Sequence, residues 1–230
     1  MIPTAPITVI IPTLNAQAHL PALLASLTTS PDLIATIIIS DGGSIDATLS
    51  IARAAGATLL QVPPGRGGQF RRAIAHAITH AGPGWLWLLH ADSTLPPDWP
   101  AAIRPALSDP NRAHYAQLRF DSPDRTARLL EWAVRLRCSL WGLPYGDQSL
   151  LIHSDLLTAI GGMPDLALME DVALARTLGR SRLALLDLIL TTDASAYHRD
   201  GWLRRATRNL LRLAQFRLAP ASIDPSDYRR

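Results

Sequence analysis

The residues of this chain best placed to do chemistry are acids delivered at the ends of apolar segments. Leu33 to Ser40 runs into Asp41-Gly42-Gly43-Ser44, and Trp85 to Leu89 runs into His90-Ala91-Asp92-Ser93. If both segments are parallel strands of an open α/β sheet, these acids stand outside the carboxyl ends of the strands, where such sheets bind ligands. Two carboxylates there suit a nucleotide whose phosphates are neutralised by a divalent cation, Mg²⁺ or Mn²⁺. Asp92 is then the metal ligand. His90 is a candidate second ligand, which would suit manganese better, against the plainer reading of a structural histidine at a strand end. Asp41 precedes two glycines that allow close backbone approach to a ribose or base, or it simply closes its own turn. Asp46 reads as a helix cap.

Three further clusters could complete a site. In Ile10-Ile11-Pro12-Thr13-Leu14-Asn15 a strand breaks at proline and hands over to small polar groups, which could hold a nucleoside or satisfy local backbone. No Gly-x-Gly-x-x-Gly follows, which speaks against a nicotinamide dehydrogenase. Gly65-Arg66-Gly67-Gly68-Gln69 opens a helix, and free amides, glycines and a guanidinium together make an anion site, with Arg66 its principal member. On the acceptor side, Gly146-Asp147-Gln148 precedes an apolar stretch and Met169-Glu170-Asp171-Val172 opens a helix. The macrodipole alone would favour Glu170 and Asp171 there. The chemical alternative makes Asp171 a general base that takes a proton from an acceptor hydroxyl.

The elements that must position these residues can be read from hydrophobic periodicity. Strands are predicted at Ile7 to Pro12, Leu33 to Ser40, Ala57 to Val62 and Trp85 to His90, separated by helices at His19 to Thr28, Asp46 to Ala55 and Gln69 to His80. That alternation implies right-handed crossovers and a mainly parallel sheet. Beyond it, Ala113 to Phe120 reads as an edge strand, and an amphipathic helix capped at Ser122-Pro123-Asp124 runs to Trp141, with Leu129, Trp132, Ala133, Leu136 and Leu140 at helical spacing. Gln148 to His153 and Arg182 to Leu190 read as strands. Ser154 to Ile160, Glu170 to Leu178 and Trp202 to Leu218 read as helices.

Composition bounds the class. A chain of 230 residues with 48% apolar and 18% charged residues can bury one core, so a single domain over 1–230 is expected. Its longest apolar runs fall well short of the roughly 18 residues of a membrane span. The start Met1-Ile2-Pro3-Thr4 lacks signal-peptide character and Cys138 is the sole cysteine, so the expected compartment is cytoplasmic. All 22 basic residues are arginine, eight of them between Arg199 and Arg230, yet net charge is only +3. Without interleaved aromatics this tail does not favour nucleic acid. On the last helix Arg204, Arg205, Arg208 and Arg212 lie opposite Leu203, Leu210, Leu213 and Ala214. Such a helix either packs on the core with a solvated basic face or attaches loosely to anionic membrane.

In this order, Pro-Thr-Leu-Asn, Asp-Gly-Gly-Ser-Ile-Asp-Ala-Thr, His-Ala-Asp-Ser and Met-Glu-Asp-Val make residues 7 to about 200 resemble a family 2 glycosyltransferase of the GT-A (Rossmann-like) fold. Within that family, Leu-His-Ala-Asp, Gly-Arg-Gly-x-Gln and Gly-Asp-Gln resemble small bacterial proteins associated with arsenosugar or radical-SAM and selenium gene neighbourhoods. The resemblance implies a nucleotide-sugar donor of UDP or GDP type, a divalent cation, a small-molecule or lipid-linked hydroxyl acceptor, and inversion at the anomeric carbon. It makes Pro12, Thr13, Asn15 and Asp41 nucleoside-binding, Asp92 metal-binding and Asp171 the base, with Arg66 and Gln69 near the donor. About 1–110 would bind nucleotide, about 111–200 would form the acceptor side, and 201–230 would be a basic helix and tail. Two departures stand out: Ala16 replaces the acid that usually follows the asparagine, and His90-Ala91-Asp92 replaces Asp-x-Asp. A sugar-phosphate nucleotidyltransferase would instead carry a glycine-rich loop where Pro12 to Asn15 stands. A silent nucleotide- or sugar-binding module is the third alternative, motivated by Ala16 and the incomplete acidic pair.

Overall fold

The computed structural model describes residues 7–166 and 168–218. Its frame is an eight-stranded mixed sheet: β1 (Ile7–Thr13), β2 (Ile34–Asp41), β3 (Thr58–Gln61), β4 (Trp85–Leu88), β5 (Ser93–Thr94), β6 (Ala113–Phe120), β7 (Leu150–His153) and β8 (Leu183–Thr192), in the order β3-β2-β1-β4-β7-β6-β8-β5. The first four strands run parallel to one another, with Thr13 level with Asp41. β7 then pairs antiparallel with both β4 and β6, and β5 antiparallel with β8, while β6 and β8 are parallel. The expectation of a mainly parallel sheet therefore holds for the first half and gives way to a mixed one beyond β4.

The flanking helices are α1 (Leu20–Leu27), α2 (Thr48–Ala54), α3 (Arg66–Ala81), α4 (Trp99–Ile103), α5 (Arg125–Trp141), α6 (Ser154–Ala159), α7 (Glu170–Leu178), α8 (Ser195–Asp200) and α9 (Trp202–Leu218). Strand periodicity of two distributes each strand over both faces. Ile7, Val9, Ile11 and Trp87 pack with Leu20, Leu23, Leu27 and Trp99 on one side; Ile10, Leu86 and Leu88 pack with Phe70, Ile74 and Leu174 on the other. Among the described residues no helix is long and apolar enough to cross a membrane.

Three expectations need correction. β6 is an interior strand, flanked by β7 and β8, and buried along most of its length. α3 begins at Arg66, three residues before its predicted start, because Gly65 adopts φ 137° and turns the chain straight into the helix. The apolar stripe of α5 is turned outward: Leu129, Trp132 and Leu140 are more than half exposed, and the buried positions are Ala127, Glu131 and Cys138. Glu131 is held there by the Phe120 amide (2.8 Å) and by Arg128 (2.9 Å). The predicted basic tail beyond 218 lies outside the described residues.

Candidate active site

The carboxyl ends of β1 and β2 are tied together by Asp41. Its Oδ1 accepts from the Thr13 hydroxyl (2.8 Å) and the Ser44 hydroxyl (2.5 Å), and its Oδ2 from the amides of Gly43 (2.9 Å) and Ser44 (2.8 Å). Four donors match the acceptor capacity of a carboxylate. Both Thr13 and Asp41 are buried. Asn15, held at φ 53°, braces the opposing loops by accepting from the Ile45 amide (2.9 Å) and donating its own amide to Ser44 Oγ (2.8 Å). Gln69 is buried at the start of α3 and its Nε2 donates to the carbonyls of Thr13 (2.9 Å) and Ser40 (2.7 Å), clamping the helix onto both strand ends. Asp46 caps the first turn of α2 by accepting from the Thr48 amide (3.0 Å).

A different set converges on an open cavity of about 670 Å³. Arg66 from the start of α3, His90 and Asp92 from the loop after β4, Asp147 before β7, and Asp171 in the first turn of α7 all line it. Arg66 donates through Nε to Glu170 and through Nη2 to Asp171 Oδ2 (3.3 Å). Asp171 Oδ2 also accepts from the Gly146 amide (2.7 Å), and its Oδ1 from the Val172 amide (2.7 Å). α7 is launched by Met169 in the left-handed region (φ 63°), an uncommon conformation for a residue with a side chain and one that clusters at functional sites. Asp92 Oδ2 accepts from the Thr192 hydroxyl at the end of β8 (3.2 Å).

The titration of this cluster follows from burial. Burial, helped by the Arg66 charge, holds the His90 imidazole down to about 4, against the pull of Asp92 and Asp171 in the other direction. The ring is therefore neutral near pH 7. Burial pushes the Asp147 carboxyl up to about 6, with Arg137 opposing, and its buried Oδ1 has no hydrogen-bond partner among the described residues. Burial likewise pushes Glu170 up to about 7, with Arg66 opposing.

The donor set around Asp92 suits a divalent cation only in part. Asp92 offers a carboxylate on the cavity wall, and neutral His90 has the chemistry of a second ligand, although its Nε2 is buried against Gly146. Among the described residues no group of three or more His, Cys, Asp or Glu side chains is arranged to hold an ion. The protein therefore fits a cation that completes its shell with phosphate oxygens and water, as Mg²⁺ commonly does.

Of the residues singled out from sequence, His90, Asp92, Arg66, Asp147 and Asp171 come together. Pro12, Thr13, Asn15, Asp41 and Gln69 do not line this cavity; they build the strand-end platform beside it. Gln69 belongs to this platform through its Nε2, which donates to two backbone carbonyls. Glu170 and Gln148 stand behind the wall: Glu170 anchors Arg66, and Gln148 donates to the Ala116 carbonyl (3.1 Å) while accepting from Arg137 (3.1 Å). Sequence reasoning missed Tyr145, whose ring carries the Arg137 guanidinium 3.4 Å from its centroid, and Tyr197. It also did not place the arginine face of α9 at the cavity, which Arg205, Arg208 and Arg212 line, the first two pairing with Asp200 (2.8 and 3.0 Å). Their i, i+3, i+7 spacing was the available signal.

Comparison with known proteins agrees with this architecture. No curated protein matches the chain by sequence. Among solved structures it is similar to glucosyl-3-phosphoglycerate synthase from Mycobacterium tuberculosis in complex with Mn²⁺, UDP and glucosyl-3-phosphoglycerate, at 24% identity and a TM-score of 0.57 over 82% of this chain and 70% of that one. The complex of the same enzyme with Mg²⁺ and UDP matches at 22% identity, TM-score 0.56 and the same coverage. At this identity the likeness establishes the fold. The model of glycosyl transferase family 2 matches residues 8–178, most of the chain and all of the strand-end platform, so the chain belongs to glycosyl transferase family 2.

Proposed function

We propose that this glycosyltransferase moves a sugar from a UDP- or GDP-type donor to an acceptor hydroxyl, small-molecule or lipid-linked, with inversion at the anomeric carbon. The observation that carries the reading is the convergence of Asp92, Arg66 and Asp171 from three separate elements on one cavity. The half up to about 110 presents the nucleotide platform, Pro12, Thr13, Asn15 and Asp41. The half from about 111 to 200 presents the acceptor side, Asp147, Gln148 and Glu170. Asp92, with His90 as second ligand, would hold Mg²⁺ or Mn²⁺, which supplies charge neutralisation for a departing diphosphate. Structures of the mycobacterial synthase with either ion and UDP support that assignment.

The chain's own residues then have distinct tasks. Asp171 takes the proton from the acceptor hydroxyl as that oxygen attacks the anomeric carbon in line. Arg66 and the Gly146 amide fix its Oδ2, leaving lone-pair capacity on the carboxylate for the hydroxyl. The narrower kinship with the arsenosugar and selenium-associated group belongs to the same proposal, as does peripheral membrane contact. With Arg205, Arg208 and Arg212 lining the cavity, such contact would run through exposed Leu203, Leu210 and Leu211.

The test pairs Asp171→Asn with a panel of nucleotide sugars and Mn²⁺. The wild type should release nucleoside diphosphate in an acceptor-dependent way. The variant should lose turnover by about 10²-fold or more, in line with the loss of a general base, while UDP still raises its melting temperature. Undiminished turnover would remove Asp171 from this role, and absence of any diphosphate release across the panel would favour a silent binding module.

A further inference from the structure

The outward stripe of α5 is an anomaly that the transfer site does not explain. Leu129, Trp132, Leu136 and Leu140 recur at the spacing of a core-facing stripe, yet they are 58, 55, 39 and 52% exposed. Next to them, between α5 and α9, runs a groove of about 440 Å³, within the range of small-molecule sites. Its walls are Leu130 and Val134 from α5 and Ala206, Leu210 and Leu213 from α9; Leu118 of β6 lies at its base.

The groove borders the catalytic cavity. Phe120, Tyr145, Asp147, Tyr197 and Asn209 line both. Asp147 stands at this junction with its Oδ1 buried and without a partner among the described residues, an acceptor awaiting a donor such as a hydroxyl. Arg137 on the groove wall is engaged by the Leu143 carbonyl (2.8 Å), by Gln148 and by the Tyr145 ring. A peptide laid in so apolar a channel would leave backbone polar groups without partners. An alkyl chain has none to satisfy. The border shared with the reacting cavity is where an attached hydroxyl head group would have to sit.

We propose that the acceptor is an amphiphilic alcohol whose hydroxyl head enters the catalytic cavity beside Asp147 while its single apolar chain lies in the α5–α9 groove. This assignment rests on the reading of the cavity as the transfer site. It also gives a role to the exposed stripe of α5, which reaches the groove at Leu136 and can receive a chain leaving a micelle or bilayer.

The experiment titrates the full chain with hexyl, octyl and decyl β-glucosides below their micelle concentrations, by calorimetry, for the wild type and for Ala206→Trp and Leu213→Gln. UDP with Mn²⁺ is added separately to each protein in a thermal-shift assay. Burial of each added methylene in the groove should tighten binding by about threefold to fourfold. Both variants should flatten that dependence and weaken decyl glucoside at least tenfold while keeping the UDP shift, which shows that they are folded. Equal affinity for hexyl and decyl glucoside in the wild type overturns the proposal. So does an unchanged chain-length dependence in both variants, which would place the chain elsewhere, for example on the open stripe of α5. A wild type that binds UDP but shows no chain-length effect sinks the groove and leaves the transfer reading intact. A chain-length effect without any UDP shift sinks the transfer reading, and with it the acceptor role of the groove.

Discussion

Replacing Gly146 by alanine should damage catalysis far more than folding. Gly146 is not among the glycines with positive φ, so the backbone accepts alanine without strain. The restricted unfolded chain would even return roughly 0.4–1 kcal/mol. The difficulty is contact. An added Cβ would lie 2.6 Å from His90 Nε2, 2.8 Å from His90 Cε1 and 3.2 Å from Asp171 Oδ2. Ordinary contact begins near 3.4 Å, so the imidazole must retreat by the difference between 3.4 and 2.6 Å, about 0.8 Å. Its ring is stacked over Phe70, with centroids 6.5 Å apart, so the displacement passes into the core or back onto the cavity wall. Overpacking of this kind costs roughly 1–3 kcal/mol. Set against the chain-entropy gain, the net is on the order of 0–2.5 kcal/mol, which shifts the melting temperature of a chain this size by a few degrees. A displacement of about 1 Å among reacting groups costs on the order of 10²-fold in rate. The assay measures acceptor-dependent diphosphate release and melting temperature on the same preparation. The expected result is a fall in kcat of about 30- to 100-fold with the protein fully folded at the assay temperature. Turnover within about threefold of the wild type would refute the claim that His90, Gly146 and Asp171 are packed to a working geometry.

Three further outcomes follow from buried charge and close packing. Arg66→Ala removes the cation that draws the Glu170 carboxyl down, so its folded pKa, already about 7, rises further above the ordinary 4.5. A raised carboxyl keeps its proton in the native state where the unfolded chain has lost it, so stability falls as pH rises from about 4.5 upward. Arg66→Ala should therefore lose roughly 1–3 kcal/mol at pH 8 and less at pH 5.5, with Glu170→Gln in that background restoring the difference in chemical denaturation. Asp147→Asn should stabilise. With a folded pKa of about 6 against 3.8, wild-type Asp147 costs stability progressively between those pH values, about 1–3 kcal/mol once ionised. The melting-temperature gap between variant and wild type should open from pH 4 to 6 and then stay level in metal-free buffer. His90, shifted in the opposite sense, cancels in that difference, and parallel profiles would argue against a buried Asp147 carboxylate. Gly67→Ala places a Cβ 2.1 Å from the Leu166 carbonyl oxygen. The backbone before α7 must move, and a loss of about 1–3 kcal/mol with weakened turnover is expected in denaturant titration and diphosphate release.

Much of this arrangement was legible because it is local. Apolar runs, the glycines after Asp41 and the spacing of α7 specify where strands end and helices begin, and both Asp41 and Asp92 do emerge at the same edge of the sheet. What was not legible depends on partners far along the chain. β6 looked like an edge because His114, Gln117 and Arg119 interrupt its apolar pattern, yet β7 and β8 arrive later and cover both of its sides. The stripe of α5 has the spacing of a core face, and no local rule says that Glu131, on the opposite side, is the residue the sheet end captures. The arginines of α9 looked solvated because Asp200, which draws Arg205 and Arg208 inward, lies in another helix.

The division of labour among the acids follows from how many donors the fold supplies to each. Asp41 receives four, all from its own loop and the neighbouring strand, so its carboxylate is saturated and ties the ends of β1 and β2 together. Asp171 receives three, two of them converging on Oδ2, which orients the carboxylate and still leaves acceptor capacity facing the cavity. Asp147 has a buried oxygen with none among the described residues, an arrangement that costs stability unless a ligand supplies the donor. The residue types and their neighbours alone do not show these differences in donor number, since each acid sits beside glycine or at a helix start. Under the proposed function, the donor count distinguishes the acid that ties the strand ends together from the acid proposed to take a proton, and both from the acid proposed to meet the acceptor. If Asp147 meets the acceptor as proposed, the stability lost there is the counterpart of binding selectivity, because a partner lacking a donor would leave that oxygen unsatisfied in the bound state as well.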